Sequence, residues 1–248
     1  MTGGASGIGE ATCRLWAAEG ATVVLADIDV EAGERVVKEI GGAATFHRCD
    51  VARESDVSSL VDFTLGQHGA LHVMFNNAGI SQTCPFLEVT EADFRRIMEI
   101  NGLGVLIGAQ EAARQMIAQG GGGKIINTAS IAGKQGYPLF AHYCASKFAV
   151  VALTQAAARA LAGHKITVNC FAPGVVATEL WQQLDREFMD HGLTQKPEQA
   201  INEFSQSILL GRVSTPADLT GSTRFLASSL SDYMTGQTLM IDGGMVLT

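Results

Sequence analysis

Thr2-Gly-Gly-Ala-Ser-Gly-Ile-Gly9 is the stretch that decides the fold of this 248-residue chain. Three of its four glycines, at positions 3, 7 and 9, permit a tight turn that bulkier residues disfavour. Apolar residues then recur at Ile8, Ala11 and Leu15, which is the spacing of one helix face. A glycine turn that opens a helix lets backbone N–H groups approach a phosphate. The stretch therefore predicts a phosphate-binding turn at the start of a helix.

An acidic residue, Asp27, closes the apolar run 23–26 and lies eighteen positions after Gly9. At this distance from a glycine turn, a carboxylate can accept hydrogen bonds from the ribose diol of a dinucleotide. A ribose 2′-phosphate would instead meet like charge, and no Arg or Lys adjoins Asp27 to offset it. The turn and the acid together predict a dinucleotide site that favours NAD over NADP.

Short β-branched runs alternate with longer amphipathic stretches along the chain. The predicted strands cover 22–27, 44–49, 71–76, 124–129, 166–171 and 238–241, and helices are predicted over about 91–119, over 143–162 and after Pro216. Strands separated by helices imply right-handed crossovers and a parallel sheet that is covered on both faces. We therefore predict an α/β fold in a single domain, 1–248, with a doubly wound parallel sheet. The segment 179–210 breaks the alternation and is interpreted as a substrate lid.

The glycine turn normally follows a strand, and only Met1 precedes Thr2. We therefore expect the first strand of the fold to be missing from this chain. Two neighbouring strands would then face each other across a gap, and each buried unpaired backbone group there costs about 1–3 kcal/mol. The prediction is a natural start upstream of Met1, which the intact mass of the native protein would test.

Composition limits the classes of partner. The net charge is −8, only 17% of the residues are charged, and Lys and Arg do not cluster. We therefore expect no nucleic-acid partner and no membrane partner. The chain shows no signal-peptide core and no apolar run of membrane-spanning length, so the predicted location is cytoplasmic. The five cysteines include no C-x-x-C pair, so neither a disulfide framework nor a metal site is expected.

Tyr143-Cys-Ala-Ser-Lys147, with Ser130 thirteen residues upstream of the tyrosine, carries the chemistry. A phenol and an ammonium four residues apart lie on one face of a helix. The neighbouring cation is expected to lower the pKa of the phenol toward the working range of a general acid or base. A serine hydroxyl from another element would hold a substrate oxygen. The motif alone also fits a chance pair on a solvated helix face.

Five ordered motifs give the chain its resemblance to a known family. Besides the glycine turn and Y-x-x-x-K, the sequence contains Asn76-Asn-Ala-Gly79, Asn101 within 100–104, and Pro173-Gly174 followed by Thr178. With these motifs the chain resembles the short-chain dehydrogenase/reductase superfamily over nearly its whole length. The resemblance implies a three-layer Rossmann fold and hydride transfer between a nicotinamide cofactor and a secondary alcohol or ketone.

The resemblance also implies a role for each matching residue. Asn101, Ser130, Tyr143 and Lys147 would be catalytic: Tyr143 would exchange the substrate proton, Ser130 would orient the substrate oxygen, and Asn101 would kink its helix and hold a water in the proton relay. The residues implied to bind the cofactor are Gly3, Ser6, Gly7, Ile8, Gly9, Asp27, Asp50, Val51, Asn77, Ala78, Gly79, Tyr143, Lys147, Pro173, Val176 and Thr178. Among them, Asp50 and Val51 would meet the adenine ring, and Lys147 would also hold the nicotinamide ribose.

Within the superfamily, the chain looks most like bacterial NAD-dependent sorbitol-type polyol dehydrogenases and almost as much like acetoin/2,3-butanediol dehydrogenases. The residue after the catalytic serine is often Gln in these relatives, whereas it is Ile131 here. This difference makes the pocket more apolar and weakens the case for a densely hydroxylated sugar alcohol. Ser130, Ile131, Tyr137 and Trp181 are the candidate substrate residues.

Two other functions remain open from the sequence. A 3-oxoacyl thioester reductase would usually take NADPH, which Asp27 opposes. A nucleotide-binding regulator without catalysis would usually lack Tyr143, Lys147 or Ser130, and all three are present. The resemblance further implies a homotetramer or homodimer in which the helices over 91–119 and 143–162 pack against their mates.

Overall fold

Parallel strands and helices alternate along the chain. The computed structural model describes residues 1–247. Its strands are β1 (Val23–Asp27), β2 (Ala44–Arg48), β3 (Val73–Asn76), β4 (Gly123–Thr128), β5 (Ile166–Pro173) and β6 (Thr238–Ile241). Its α-helices are α1 (Gly7–Ala18), α2 (Val30–Ile40), α3 (Glu54–His68), α4 (Glu91–Met98), α5 (Gly104–Gln119), α6 (Ala141–Leu161), α7 (Glu179–Asp190), α8 (Gln199–Ser205) and α9 (Pro216–Ala227). None of these helices has the length and apolarity that a bilayer crossing requires.

The strands lie in the order β2-β1 and β3-β4-β5-β6, and every strand pair is parallel. Thr2 forms a parallel bridge to Ala26 of β1 and another to Asn76 of β3, so it joins the two groups. This arrangement confirms the predicted doubly wound α/β fold. β3 begins later than predicted because the backbone of Leu71 is bound by the side-chain amide of Gln119 instead of a neighbouring strand.

Apolar side chains fill both faces of the sheet. On one face, Leu25, Phe75 and Phe171 are fully buried with residues of α1 and α9. On the other face, Met74 and Ile125 pack with residues of α5 and α6. Burial on both sides is why β1 is a continuous apolar run up to Asp27, whereas β2, at the edge of the sheet, carries His47 and the exposed Arg48. The result is three layers, with a helix layer on either side of the sheet.

The first two residues occupy one end of the space between β1 and β3. The amino group of Met1 donates to the carbonyl of Val24 at 2.8 Å, and its own carbonyl accepts from the N–H of Ala26 at 2.8 Å. The N–H of Thr2 donates to the carbonyl of Phe75 at 3.0 Å. Beyond Met1 the space continues as a groove of about 530 Å³. The expected gap between the two strands is therefore present and partly filled.

The single helix predicted over 91–119 is interrupted. α4 ends at Met98, a π-helical turn covers Glu99–Leu103, and α5 begins at Gly104. Asn101 lies in this turn and is fully buried. Its side chain bonds to a loop outside the helix instead of packing along the helix surface. The interruption therefore gives the Asn101 amide its direction toward the site.

Candidate active site

A cleft of about 380 Å³ runs along the ends of the strands nearest the glycine turn. Nearly all the candidate cofactor residues line it, namely Gly3, Ser6, Gly7, Ile8, Asp27, Asp50, Val51, Asn77, Ala78, Gly79, Tyr143, Lys147, Pro173, Val176 and Thr178. Gly9 is the exception, because it lies beneath the turn. A Cβ at Gly9 would stand 1.9 Å from the carbonyl oxygen of Gly3. Its role is to let α1 pack against the turn, not to face a ligand.

Two further glycines give the turn its shape. Gly3 and Gly7 have φ values of +63° and +51°, in the left-handed region that favours glycine. A Cβ at Gly3 would also lie 2.7 Å from the Cα of Ala78. α1 begins at Gly7, and the first N–H groups of a helix have no partner within the helix. The cleft therefore carries free backbone donors at the positive end of a helix, which suits an anion.

Side-chain hydrogen bonds tie the turn to the loop after β3. The Thr2 hydroxyl accepts from the N–H groups of Asn77 and Ala78 at 3.1 and 3.2 Å. The Asn77 side chain donates to the Gly3 carbonyl at 2.9 Å and accepts from the Thr128 hydroxyl at 3.1 Å. The floor of the cleft is thus a connected network, and its shape does not depend on a bound ligand.

Two carboxylates stand at the far end of the cleft. The Asp27 carboxylate accepts from the N–H of Ala5 at 3.0 Å and from the N–H of Asp29 at 3.1 Å. The Asp50 carboxylate accepts from the N–H of Ala52 at 3.1 Å and lies 3.4 Å from the guanidinium of Arg53. Asp27 forms no ion pair among the described residues.

The four candidate catalytic residues come from three elements. Tyr143 and Lys147 lie one turn apart on α6, and the Lys147 Nζ is 5.5 Å from the centroid of the Tyr143 ring. Ser130 follows β4, and its Oγ accepts from the N–H of Ala132 at 3.1 Å. The Lys147 Nζ donates to the carbonyl of Thr128 at 2.8 Å, so the ammonium is fixed beside the cleft.

Asn101 holds the loop that lies opposite α6. Its Oδ1 accepts from the N–H of Ile80 at 2.8 Å, and its Nδ2 donates to the carbonyl of Ile80 at 2.8 Å. The same Nδ2 is 3.1 Å from the hydroxyl of Ser146 on α6. Both polar groups of the Asn101 amide are therefore in use, and they link the π-helical turn, the loop and α6.

Burial dominates the acid–base properties of the site. It raises the pKa of Tyr143 to about 12, and the Ser130 hydroxyl opposes the rise. It also lowers the pKa of Lys147 to about 8, because the charged ammonium is taken out of water. The prediction that the lysine would lower the pKa of the phenol is therefore wrong for this state of the site. A helix spacing shows that two groups are close, but it does not show how far both are removed from solvent.

A small cavity of about 70 Å³ opens beside Ser130 and Tyr143. The candidate substrate residues Ser130, Ile131, Tyr137 and Trp181 all line it. Its other lining residues are Ser81, Ala132, Phe140, Tyr143, Gly174, Val175, Leu180, Leu184 and Phe204. Gly174 belongs to the Pro173-Gly174 motif, and Leu180, Leu184 and Phe204 lie in the segment 179–210 interpreted as a lid. Ser81 follows the Asn76–Gly79 motif by two positions, whereas no pattern in the sequence indicated Ala132, Phe140 and Val175. The other walls come from segments far apart in the chain.

Among residues 1–247, no cluster of His, Cys, Asp or Glu has the arrangement of a metal site. The five cysteines are free and buried, and none is paired in a disulfide. The polar groups that converge on the cleft are therefore the glycine turn, the two carboxylates and the Ser130–Tyr143–Lys147 set.

Comparisons with known proteins agree with this geometry. A family model described as enoyl-(acyl carrier protein) reductase matches residues 3–246. The L-2,3-butanediol dehydrogenase of Corynebacterium glutamicum is 43% identical over 252 residues, which cover 99% of this chain and 97% of that protein. The chain belongs to the short-chain dehydrogenase/reductase family. It is therefore an oxidoreductase, as the five sequence motifs predicted.

Two further matches extend the comparison. The sorbitol dehydrogenase of Cereibacter sphaeroides is 40% identical over 244 residues, which cover 98% of this chain and 95% of that protein. The crystal structure of a short-chain type dehydrogenase/reductase from Mycobacterium marinum superposes with a TM-score of 0.90 at 39% identity. The superposition covers 100% of this chain and 94% of the Mycobacterium marinum chain. The resemblance of this short-chain dehydrogenase/reductase to both polyol-type and butanediol-type enzymes is thus confirmed.

Proposed function

We propose that this protein is an NAD-dependent dehydrogenase that interconverts a secondary alcohol, of the polyol or vicinal diol class, and its ketone. The observation that carries the proposal is the position of Ser130 and Tyr143 where the cleft meets the small cavity, with Lys147 beside them in the cleft. A hydroxyl, a phenol and an ammonium at such a junction can hold a substrate oxygen and exchange its proton. The names of the relatives, a butanediol dehydrogenase and a sorbitol dehydrogenase, support the same substrate class.

The residues of the cleft fit a dinucleotide. Gly3 lets the turn pack against the backbone of Ala78. A Cβ at Gly7 would stand 3.3 Å from the Thr178 side chain, in space that a pyrophosphate would use at the start of α1. The Asp27 carboxylate stands at the end of β1 and has no ion-pair partner within residues 1–247, which suits a ribose diol and repels a 2′-phosphate. Arg35 comes within 3.5 Å of the Ala5 carbonyl, but its guanidinium is paired with Glu10. These contacts favour NAD over NADP.

The chemistry divides between cofactor and protein. When bound, the nicotinamide ring would supply the acceptor or donor of hydride. The Ser130 hydroxyl would hold the substrate oxygen, and the Tyr143 phenol would give its proton to that oxygen during ketone reduction. The raised pKa of Tyr143 keeps the phenol protonated at neutral pH, which is the form that a proton donor needs. Lys147 would stabilise the phenolate that remains and would also hold the nicotinamide ribose.

Asn101 completes the assignment as a positioning residue. Its amide is committed to Ile80 and Ser146, so it acts through the loop and α6. A water held at the interrupted helix would continue the proton path from Lys147, as the family resemblance implies. The buried environment of Asn101 favours such an ordered water over exchange with bulk solvent.

The cofactor proposal is tested by titrating the fluorescence of NADH and of NADPH against the protein. We expect tight binding of NADH and weak binding of NADPH. Asp27→Asn should reduce the affinity for NADH about tenfold. It should also bring the affinities for NADH and NADPH closer together, since a neutral amide repels the 2′-phosphate of NADPH less than a carboxylate does. Asp29→Asn, which alters the N-cap of α2, is the matched control. A wild-type preference for NADPH would overturn the NAD assignment and favour a thioester reductase.

We infer that residues 1–248 act as one domain and that 179–210 serve as a substrate lid. α7 and α8 provide Trp181, Leu184 and Phe204 to the cavity. α7 is tied to the loop after β3 by the Glu187 carboxylate, which accepts from the N–H of Thr83 at 2.7 Å. Hydrogen exchange measured with and without NADH tests the lid: protection should rise across 179–210 on binding and should stay constant in α3.

The exposed apolar surface supports a homo-oligomer. Phe94, Leu103 and Phe148 lie on α4, the π-helical turn and α6, and each is between 44% and 47% exposed. These are the helices expected to pack against their mates in a dimer or tetramer. Light scattering should give an oligomer for the wild type and a smaller species for Phe148→Asp. A monomeric wild type would contradict the proposal. The five free, buried cysteines support a reducing compartment, and we propose the cytoplasm.

A further inference from the structure

Two aromatic rings separate the substrate cavity from a second space. Tyr137 and Phe204 line the cavity of about 70 Å³ beside Ser130 and Tyr143. The same two residues line an open depression of about 380 Å³, and within residues 1–247 no other residue lines both spaces. The centroids of the two rings are 6.3 Å apart. Tyr137 and Phe204 therefore form the wall at which the cavity ends and the depression begins.

Other aromatic rings hold Phe204 in this wall. Its ring centroid lies 5.5 Å from that of Trp181, 6.1 Å from that of Phe140 and 6.1 Å from that of Phe188. Trp181 and Phe188 belong to α7, whereas Phe140 immediately precedes α6. Aromatic pairs at these separations stabilise one another beyond the burial of their area. Contacts from two different elements thus keep the Phe204 ring in its place between the two spaces.

The helix that carries Phe204, α8, is fixed to α7 at its first turn. Asp185 of α7 is buried, and its carboxylate accepts from the N–H groups of Glu198 and Ala200 at 2.5 and 3.2 Å. The first N–H groups of a helix have no partner within the helix, so this carboxylate supplies one. Ala200 is itself fully buried. α7 and α8 therefore hold the wall together, and a longer substrate would have to disturb both helices to pass it.

The volume of the cavity limits the part of the substrate that lies beyond the reacting carbon. Ser130 and Tyr143 place the reacting oxygen where the cleft meets the cavity, and the nicotinamide would occupy the cleft side. The rest of the substrate then extends into the cavity. At about 10–15 Å³ for each water-sized group, a volume of about 70 Å³ holds roughly five to seven non-hydrogen atoms. Butane-2,3-diol is of this size, whereas a hexitol has twice as many non-hydrogen atoms.

The spaces on the two sides of the wall differ in polarity. Apolar side chains such as Ile131 and Leu184 form much of the inner cavity. The depression is instead lined by Gln135, Glu203 and Ser207, all of them exposed, together with Met245. A substrate that ends at the wall therefore keeps its far end among apolar groups, whereas a longer one would have to displace a ring to reach polar groups and water.

We propose that Phe204, together with Tyr137, sets the upper limit on substrate length, so that the enzyme accepts chains of about four carbons and rejects longer ones. This limit, which rests on the proposed dehydrogenase function, comes from the size of the cavity and applies to alcohols and ketones alike. Shortening the Phe204 side chain would join the cavity to the depression. The space vacated by the ring would then receive the additional carbons of a longer substrate.

The test compares butane-2,3-dione with heptane-2,3-dione, which have no stereocentre and differ only in the length of one chain. For the wild type with NADH, we expect kcat/KM to be about tenfold or more lower for the longer dione. Phe204→Leu removes as many carbons as the longer chain adds. It should raise kcat/KM for heptane-2,3-dione about tenfold and lower that for butane-2,3-dione, whose short chain would no longer contact the wall.

Phe188→Leu is the matched control. It makes the same change in the same aromatic cluster, but Phe188 lines neither the cavity nor the depression. It should therefore keep the wild-type preference for the shorter dione. Thermal unfolding checks that both variants are folded, and Phe204→Met, whose flexible side chain fills gaps, takes the place of Phe204→Leu if the latter does not fold. A wild type that reduces both diones equally well, or an equal gain from both leucine variants, would overturn the proposal.

A binding measurement separates the length limit from the proposed function. If the wild type binds NADH and reduces neither dione, the proposed function fails. The role of Phe204 is then judged by calorimetric titration of the two diones into the NADH complex, which needs no turnover. Tighter binding of heptane-2,3-dione by Phe204→Leu than by the wild type supports the limit, and equal binding by both proteins overturns it.

Discussion

The side-chain amide of Asn101 binds both backbone polar groups of Ile80, each at 2.8 Å. This pair of bonds connects an interrupted helix with the loop that reaches the substrate cavity. The interruption is necessary, because Asn101 would otherwise lie in a continuous helix and its side chain would follow the helix surface. The loop in turn presents Ser81 to the cavity. The shape of the cavity therefore depends on a residue that does not line the cavity itself.

Asn101→Ala should loosen this loop and reduce both stability and activity. The N–H and carbonyl of Ile80 would lose their partners, at a cost of about 2–4 kcal/mol in the free energy of unfolding. Turnover should fall further than this loss of folded protein explains, since Ser81 and α6 would shift. Urea unfolding and steady-state kinetics on the same samples check this. Asn202→Ala, at an exposed position on α8, is the control. Unchanged turnover in folded Asn101→Ala would contradict the positioning role.

Lys147 is expected to make the ligand-free protein less stable at neutral pH. Burial lowers its pKa from 10.5 to about 8, so the folded state disfavours the charged ammonium. This difference in pKa corresponds to a destabilisation of the folded state by about 3 kcal/mol. The hydrogen bond from Lys147 to the Thr128 carbonyl offsets about 1 kcal/mol of that cost. Lys147→Met should therefore raise the free energy of unfolding by about 2 kcal/mol at pH 7 while abolishing activity.

The effect of Lys147→Met on the free energy of unfolding should depend on pH. Between about pH 8 and 10.5 the unfolded state keeps a proton on Lys147 that the folded state has lost, so the stability of the wild type rises with pH. The advantage of Lys147→Met should be constant below about pH 8 and shrink as the pH rises through that interval. Thermal unfolding at several pH values measures it, with the exposed Lys38→Met as control. If the extra stability of Lys147→Met did not vary with pH, it would come from better packing of the methionine and not from removal of the charge.

The groove beyond Met1 predicts that an added strand would stabilise the protein. The groove lies between β1 and β3, and within residues 1–247 the backbone partners in this gap come from Met1, Thr2 and Gly4. A designed extension of about five β-branched residues before Met1 would pair with both strands, and it would replace the buried amino group of Met1 by an amide. We expect Tm to rise by roughly 5–10 °C. A Gly/Ser extension of equal length is the control, and an equal rise from both would contradict strand pairing.

The sequence predicted the doubly wound fold, and the residues of its polar motifs lie together in one cleft, whereas it did not predict which apolar side chains form the small cavity. Tyr143 and Lys147 lie on one helix face because their spacing matches a helical turn, and Asp27 is the last residue of β1, a strand that its apolar run identified. Leu184 and Phe204 reach the cavity from the two helices of 179–210, and no local pattern relates them to Ser130. The pKa of Tyr143 moved against expectation because burial depends on packing from several elements, which a spacing of four residues does not report.

The most direct measurement of the central claim is the rate of NADH oxidation with acetoin by the wild type and by Tyr143→Phe. The phenol hydroxyl is the only group that the substitution removes, so the buried ring and its packing remain. We predict a rate lower by about two to four orders of magnitude for Tyr143→Phe, with the affinity for NADH unchanged. Near-native turnover by Tyr143→Phe in the folded protein would contradict the role of Tyr143 as the proton donor.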